Sequence, residues 1–297
     1  MKAGLVSLVG RPNAGKSTLL NWFAGQKLAI VSDKPQTTRH RIVAVRNAPE
    51  GQIVFIDTPG IHRPAHRMNR RMVDAAVATL REVDLVVLVV DAQPRPGAGD
   101  RFVLDLVRAS RTPMLLALNK VDLIHKPALL PLMEHYASEA PFRAIVPVSA
   151  LSGDGLPALE REIFAALPEG PPLYGDEFLT DQTERTLSAE LIREKVLRHT
   201  HDELPFTTAV LIDKFEEAAR EGGLTRIYAS ILVDHDSQKP IVIGRGGEMI
   251  KRIGTEARHD LEGMLGGRVF LDLHVKVRQD WRDDERLLDE MGLGGRG

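Results

Sequence analysis

Residues Gly10 to Ser17 read Gly-Arg-Pro-Asn-Ala-Gly-Lys-Ser, directly after the apolar run Leu5-Val6-Ser7-Leu8-Val9 and directly before Thr18-Leu19-Leu20-Asn21-Trp22-Phe23, which has helical character. Strand, glycine-bounded turn and helix form the context in which G-x-x-x-x-G-K-[ST] becomes a phosphate cradle. Gly10 and Gly15 let the backbone of the loop Arg11-Pro12-Asn13-Ala14 curl, so that its N–H groups, which Pro12 lacks, point inward at an anion. The helix that starts at Lys16, Ser17 and Thr18 adds the partial positive charge of its N-terminus. Lys16 can then reach the β- and γ-phosphates as a point charge, and Ser17 can offer its hydroxyl to Mg²⁺. The segment therefore predicts a nucleoside triphosphate site.

The base is specified further along. Asn119-Lys120-Val121-Asp122 follows the apolar strand Met114-Leu115-Leu116-Ala117-Leu118, at a strand's carboxyl end, where open α/β sheets bind ligands. A carboxylate at Asp122 accepts two hydrogen bonds from guanine, one from the ring N–H and one from the exocyclic amine. Adenine offers neither, and a site built to pair a polar group rejects the analogue lacking it by roughly 10⁴-fold. Asn119 supports base and loop, and the Lys120 stem lies over the ring face. Ser149-Ala150-Leu151 follows the strand 144–148 and makes the other half of the pocket, with a backbone N–H near Ala150 for guanine's oxygen. Alone, Ser-Ala-Leu is uninformative; behind the other two segments it is not.

Two further segments complete the site. Ile53-Val54-Phe55-Ile56 runs into Asp57-Thr58-Pro59-Gly60, which places a carboxylate in the Mg²⁺ shell and gives, at Gly60, a backbone N–H for the γ-phosphate and a hinge. The polar loop from Ser32 to His40 contains Thr37-Thr38, one of whose hydroxyls closes over Mg²⁺; Thr38 is favoured and Thr37 is the alternative. Lys16, Thr38, Gly60 and Asn13 are the candidate catalytic residues, and Ser17, Thr38 and Asp57 the candidate metal ligands.

At 297 residues the chain suggests one large or two ordinary domains. It has no cysteine, which excludes disulfides and thiolate metal sites. No apolar run approaches the roughly 18 residues of a membrane span, and residues 10–17 leave no room for a signal peptide, so a cytosolic location is expected. Net charge is −2 but uneven: residues 1–170 carry 21 Lys+Arg against 16 Asp+Glu, and residues 171–297 carry 18 against 25. An acidic second half argues against loose phosphate-driven binding. A nucleic-acid site there must be a local patch.

Up to about Leu167, strands near 5–9, 40–46, 52–56, 84–90, 114–118 and 144–148 alternate with helices near 16–24, 67–81, 100–109, 129–139 and 156–166. Such alternation predicts a mostly parallel sheet with helices on both faces, and the 40–46 strand, one short turn before the next, an antiparallel edge. Pro168-Glu169-Gly170-Pro171-Pro172 then reads as a break between domains. The expected division is 1–170, a linker over 171–180, and a smaller α+β unit over 181–297 with the order helix, two strands, helices and strand.

In that unit a strand-like run, Ile241-Val242-Ile243, enters Gly244-Arg245-Gly246-Gly247, and an amphipathic helix leaves it through Glu248-Met249-Ile250-Lys251, with Ile250, Ile253 and Ala257 on one face. A Gly-x-x-Gly turn lets backbone approach a nucleic-acid strand closely. The helix N-terminus and Arg245, Lys251 and Arg252 add favourable charge. A KH module clamps about four nucleotides of a single strand in this way, so Ile243 to Gly247, Lys251 and Arg252 are the candidate RNA-binding residues.

The whole chain resembles the bacterial Era family of GTPases. The resemblance rests on Gly10 to Thr18, Gln36-Thr37-Thr38-Arg39-His40-Arg41, Asp57 to Gly60, Asn119 to Asp122, Ile243 to Gly247, and the tail Val275-Lys276-Val277-Arg278 with Trp281-Arg282. Trp22-Phe23 departs from the smaller or aliphatic pair expected there and bears on local packing. The resemblance implies a P-loop GTPase domain followed by a type II KH domain. It also implies binding of the single-stranded 3′ end of small-subunit ribosomal RNA and a role in small ribosomal subunit assembly by a monomer. Peripheral membrane association is linked to the family, and nothing in the sequence requires it. Ile61 stands where Ras-like GTPases place a water-orienting glutamine. In similar GTPases with an asparagine at the place of Asn13, that residue coordinates a monovalent cation, so slow GTP-to-GDP hydrolysis stimulated by K⁺ is expected; a loop-stabilising Asn13 is the plainer alternative. Two rival functions are an RNA-binding protein with a relic nucleotide domain and a GTPase acting in tRNA modification.

Overall fold

The computed structural model describes residues 1–34, 37–39, 41–61, 67–93, 97–201, 204–220 and 222–291. Gln36 and His40 lie outside the described residues. The chain divides into two compact units, Met1–Ala29 with Gln36–Asp181 and Ile30–Pro35 with Gln182–Gly297.

The first unit runs β1 (Lys2–Gly10), α1 (Lys16–Ala24), β2 (Ile42–Ala48), β3 (Gly51–Asp57), α2 (Arg67–Thr79), β4 (Leu85–Asp91), α3 (Ala98–Ser110), β5 (Met114–Asn119), α4 (Leu129–Glu139), β6 (Ile145–Pro147) and α5 (Leu156–Ala166). Its strands form one sheet in the order β2-β3-β1-β4-β5-β6. All neighbours pair in parallel except β2, the antiparallel edge expected from the sequence. The unbroken apolar run of β4 follows from burial on both faces. Leu85, Val87 and Val89 enter one core with Leu19, Phe23 and Ile163, while Val86, Leu88 and Val90 enter the other with Ala76, Val103 and Leu132. The unusual pair on α1 splits. Phe23 is buried and stacks on Phe55 of β3 at 4.6 Å, whereas Trp22 lies edge-on to Phe23 and remains partly exposed.

The segment expected as a linker is fastened to this unit. Leu173 and Tyr174 donate backbone N–H groups to the fully buried Gln52, Val45 donates to Leu179, and Tyr174 and Phe178 stack at 4.3 Å over Val43, Val45 and Val54. A Pro/Gly cluster marks where a helix must stop; it does not say what the following residues pack against.

The second unit runs α6 (Glu184–His199), α7 (Leu204–Thr207), β7 (Ala209–Glu216), β8 (Leu224–Val233), α8 (Lys239–Ile243), α9 (Glu248–Leu265), β9 (Arg268–Val277) and α10 (Glu285–Glu290). Central β8 pairs antiparallel with β7 and parallel with β9. Ile192 and Val196 of α6 and Ile253, Ala257 and Leu261 of α9 cover one face of the sheet, meeting Ile227, Ala229 and Ile231. The run Ile241-Val242-Ile243 is helical, not strand-like. Pro240 in the first turn presets φ for a helix, Val242 turns into the core, and Gly244 N–H closes the turn on Pro240 O at 2.9 Å. Three apolar residues are too few for periodicity to separate helix from strand.

Among the described residues no helix is long and apolar enough to cross a membrane.

Candidate functional site

The phosphate loop leaves β1 at Gly10 and enters α1 at Lys16. A Cβ at Gly10 would lie 2.3 Å from Val89 O, and one at Gly15 only 2.1 Å from Asn119 Nδ2; Gly15 also has φ +98°. Close approach therefore requires both glycines. Asn13 holds a left-handed backbone, φ +65°. The buried Lys16 ammonium donates to Gly10 O at 3.3 Å and Arg11 O at 3.0 Å. Burial lowers its pKa, with Asp57 and Asp91 opposing that shift. Arg11 itself is drawn to Asp100 of α3 at 3.0 Å, and Ser17 and Thr18 occupy the half-buried first turn of α1.

The guanine segments meet this loop directly. Asn119 donates to Ala14 O at 2.8 Å and accepts from Ala150 N–H at 2.9 Å, joining phosphate loop and base loop through one buried amide. Lys120 Nζ donates to Asn13 O at 2.7 Å. The Ser149 hydroxyl donates to Asp122 Oδ1 at 2.6 Å, at the rim of the pocket where Asp122 is open to solvent. Leu151 is 85% exposed and adds its backbone to the loop, not an apolar wall.

Ser17, Thr38 and Asp57 converge. Ser17 Oγ lies 2.6 Å from Thr38 Oγ1 and donates to Asp57 Oδ2 at 3.0 Å; Thr38 donates to the same oxygen at 3.5 Å. The second carboxylate oxygen, Asp57 Oδ1, is buried without a hydrogen-bond partner. Burial raises the Asp57 pKa to about 6, against the pull of Lys16, the two hydroxyls and the Thr58 N–H. Two hydroxyls and a carboxylate with an orphan oxygen fit a hard cation such as Mg²⁺. Among the described residues no group of three or more His, Cys, Asp and Glu could hold a metal, so such an ion would depend on these three oxygens and those of a nucleotide. Of the two threonines, Thr38 stands at this point.

Gly60 lies against the phosphate loop, where a Cβ would come within 2.7 Å of Pro12 N. Ile61 donates its N–H to Gly10 O at 3.2 Å and buries its side chain beside Val9 and Ile56. It is a core residue and leaves the orientation of water to other groups.

In the second unit the turn is built for approach. Gly244, Gly246 and Gly247 have φ of +75°, +61° and +83°. A Cβ at Gly244 would strike Met249, but one at Gly246 or Gly247 meets nothing within 4 Å. Arg245 is exposed, and Ile243 is half-buried beneath the turn. Beside it, a groove of about 290 Å³ is lined by Ile250, Lys251, Gly254, Thr255, Arg258, Leu271 and Leu273. Lys251 thus faces the groove, whereas Arg252 turns to Glu256 at 3.4 Å.

Three residues of these sites escaped the sequence reading. Asp91, at the carboxyl end of β4, pairs with Lys120 at 3.1 Å, and Asp100 holds Arg11. Both are acids at the mouth of the sheet, a position that was the available signal. Arg258 lies on the groove face of α9, one turn beyond Gly254.

Comparison with known proteins agrees with this geometry. The chain matches the family described as 50S ribosome-binding GTPase over residues 5–120 and the KH domain over residues 203–282. It is 50% identical over 291 residues to the GTPase Era of Geobacter metallireducens, covering 98% of this chain and 97% of that protein. It is 46% identical over 293 residues to that of Heliobacterium modesticaldum, covering 99% and 97%. Its structure is similar to that of Era in complex with MgGDPNP and nucleotides 1506–1542 of 16S ribosomal RNA, with a TM-score of 0.95 and 38% identity over 99% of each chain. It is also similar to a variant of Aquifex aeolicus Era bound to GDP and AlF4⁻, with a TM-score of 0.93, 38% identity and 99% and 100% coverage. With a P-loop GTPase unit, a KH unit and this identity over nearly its whole length, the chain belongs to the Era family of GTPases.

Proposed function

We propose that this GTPase hydrolyses GTP slowly, in a Mg²⁺-dependent and K⁺-stimulated reaction, and binds the single-stranded 3′ end of small-subunit ribosomal RNA as an assembly factor for the small ribosomal subunit. The observation that carries the reading is the pairing, on one chain, of an assembled guanine-nucleotide site with an open Gly-x-x-Gly turn over a groove. The Era protein that holds MgGDPNP together with nucleotides 1506–1542 of 16S ribosomal RNA supports it. The functional division is 1–170 for nucleotide, 171–180 as the connection, and 181–297 for RNA. The fitting setting is the cytoplasm, with any membrane attachment peripheral, and the acting form is a monomer.

In this reading Asp122 and a backbone N–H near Ala150 recognise guanine, Asn119 braces both loops, and the Lys120 stem covers the base. Lys16 and the phosphate-loop N–H groups bind the phosphates, and Gly60 N–H meets the γ-phosphate. Ser17, Thr38 and Asp57 would hold Mg²⁺, which when bound neutralises charge on the β- and γ-phosphate oxygens. Because Ile61 is buried, the attacking water is organised by groups other than its side chain, with Asn13 helping as the ligand proposed for K⁺. Gly244 to Gly247, Arg245 and Lys251 hold the RNA backbone while bases enter the groove.

Ultraviolet cross-linking to total RNA, followed by sequencing, tests this. Enrichment of the 3′ end of small-subunit ribosomal RNA is expected, and enrichment of tRNA would favour a role in tRNA modification instead. GTP turnover that persists without Mg²⁺ would remove Ser17, Thr38 and Asp57 from metal binding.

A further inference from the structure

We infer that Asp91 is a positioning residue for the nucleotide site, acting through Lys120 to hold Asn13 in its left-handed backbone conformation. Asp91 ends β4 in register with Asn119, and the N–H of the next residue, Ala92, donates to Asn119 O at 2.7 Å. This fixes the carboxylate beneath the guanine segment. Its Oδ2 receives Lys120 Nζ at 3.1 Å, and the same ammonium donates to Asn13 O at 2.7 Å. A carboxylate, an ammonium and a backbone carbonyl therefore form one chain from the floor of the sheet to the crest of the phosphate loop. Both backbones at its upper end are strained: Asn13 has φ +65° and Lys120 φ +66°. Non-glycine residues adopt this region at a cost and persist there only where the surroundings hold them. The other oxygen, Asp91 Oδ1, is buried without a hydrogen-bond partner, so the carboxylate's alignment depends on Lys120.

The consequence falls on binding. With Asp91 neutral, the Lys120 ammonium loses its only acidic partner among the described residues, and the Asn13 carbonyl loses a fixed donor. The phosphate loop must then be ordered by the nucleotide, which weakens affinity. Where Asn13 is also the K⁺ ligand proposed above, a point at which this inference rests on that reading, K⁺ should bind less well too.

A double-mutant cycle on GDP affinity tests the chain. Asp91→Asn should weaken GDP roughly five- to tenfold, Lys120→Met, which keeps the stem and loses the charge, at least as much, and the double variant no more than the weaker single variant within twofold. Asp91→Glu should recover most of the loss. Multiplying single effects would overturn the inference and assign Asp91 to the field at Lys16 instead. If wild-type turnover responds to K⁺, Asp91→Asn should raise the K⁺ concentration giving half-maximal stimulation, and an unchanged value would also overturn it. If wild-type turnover ignores K⁺, the cation reading of Asn13 fails while the cycle on GDP still decides the role of Asp91.

Discussion

The two functional regions are built on opposite principles. In the nucleotide site many polar groups are already satisfied by one another, with Asp57 Oδ1 and Asp91 Oδ1 left over: Lys16 by loop carbonyls, Ser17 by Thr38 and Asp57, Asn119 by Ala14 and Ala150. In the RNA site the polar groups point outward, and the two glycines at the tip of the turn face open space. A small anionic ligand with fixed geometry rewards preorganisation, because ordering the loop before binding leaves more of the interaction energy as affinity. A flexible single strand rewards access. It is gripped by backbone approach and a few charges, with specificity left to bases stacked in a groove. Substitutions in the first region should therefore act through geometry and protonation, and those in the second through bulk and charge.

The largest expected effect is on base choice. Asp122→Asn presents guanine with an amide that matches only part of its donor pair, and xanthine, with an acceptor in place of the amine, becomes the better partner. GTP affinity should fall roughly 10³-fold while XTP affinity rises; competition titration with both nucleotides checks it. An unchanged preference would remove Asp122 from the pocket.

Next is the open turn. Asp at both Arg245 and Gly246 adds two negative charges, removes a positive one and fills space beside the RNA backbone. Binding of 3′-end RNA should drop about 100-fold or more, while intrinsic GTP turnover stays within about twofold. A parallel loss of both activities would break the proposed separation of the regions.

Asp57 sharpens the comparison through pH. Its carboxyl titrates near pH 6 in the fold against a reference of 3.8, so between these values the native state binds more protons than the unfolded chain. Stability therefore falls as pH rises through that window, and the full cost is present above it. Without nucleotide or metal, Asp57→Asn should stabilise the protein by about 2–3 kcal/mol at pH 7.5, and the gain should vanish below about pH 4. Denaturant melts across pH give the answer, and a pH-independent difference would contradict the burial argument.

The smallest effect separates two arginines one helical face apart. Arg258→Ala should weaken RNA binding about fivefold and lower the salt slope by about one, whereas Arg252→Ala, which loses only its contact with Glu256, should change it less than twofold. Fluorescence titrations at several salt concentrations distinguish them.

The contrast also explains what the sequence made legible. Phosphate and guanine segments are contiguous runs at strand ends, so Lys16, Ser17, Asp57, Asn119 and Asp122 could be read from spacing, and the structure brings them together. Asp91, Asp100 and Arg258 lie outside those runs. Asp91 and Asp100 act through Lys120 and Arg11, distant in sequence, and Arg258 through a groove shared with Leu271 and Leu273, and no local pattern carries that information. Alternation with period two or 3.6 revealed the strands and long helices, but α8 is too short for either period, and the helix-favouring geometry of Pro240 decided it. Thr38 and Thr37 were equivalent as letters; only the folded loop sets one hydroxyl against Ser17.

The central claim is that one chain joins a preassembled guanine-nucleotide site to an open clamp for single-stranded RNA. The most direct measurement is the affinity for an oligonucleotide copied from the 3′ end of small-subunit ribosomal RNA, taken alone and annealed to its complement. An A-form duplex hides its bases and cannot enter the groove beside Gly244 to Gly247. The account predicts that the single strand binds at least about 100-fold more tightly than the duplex. Equal affinity for the two forms would contradict it.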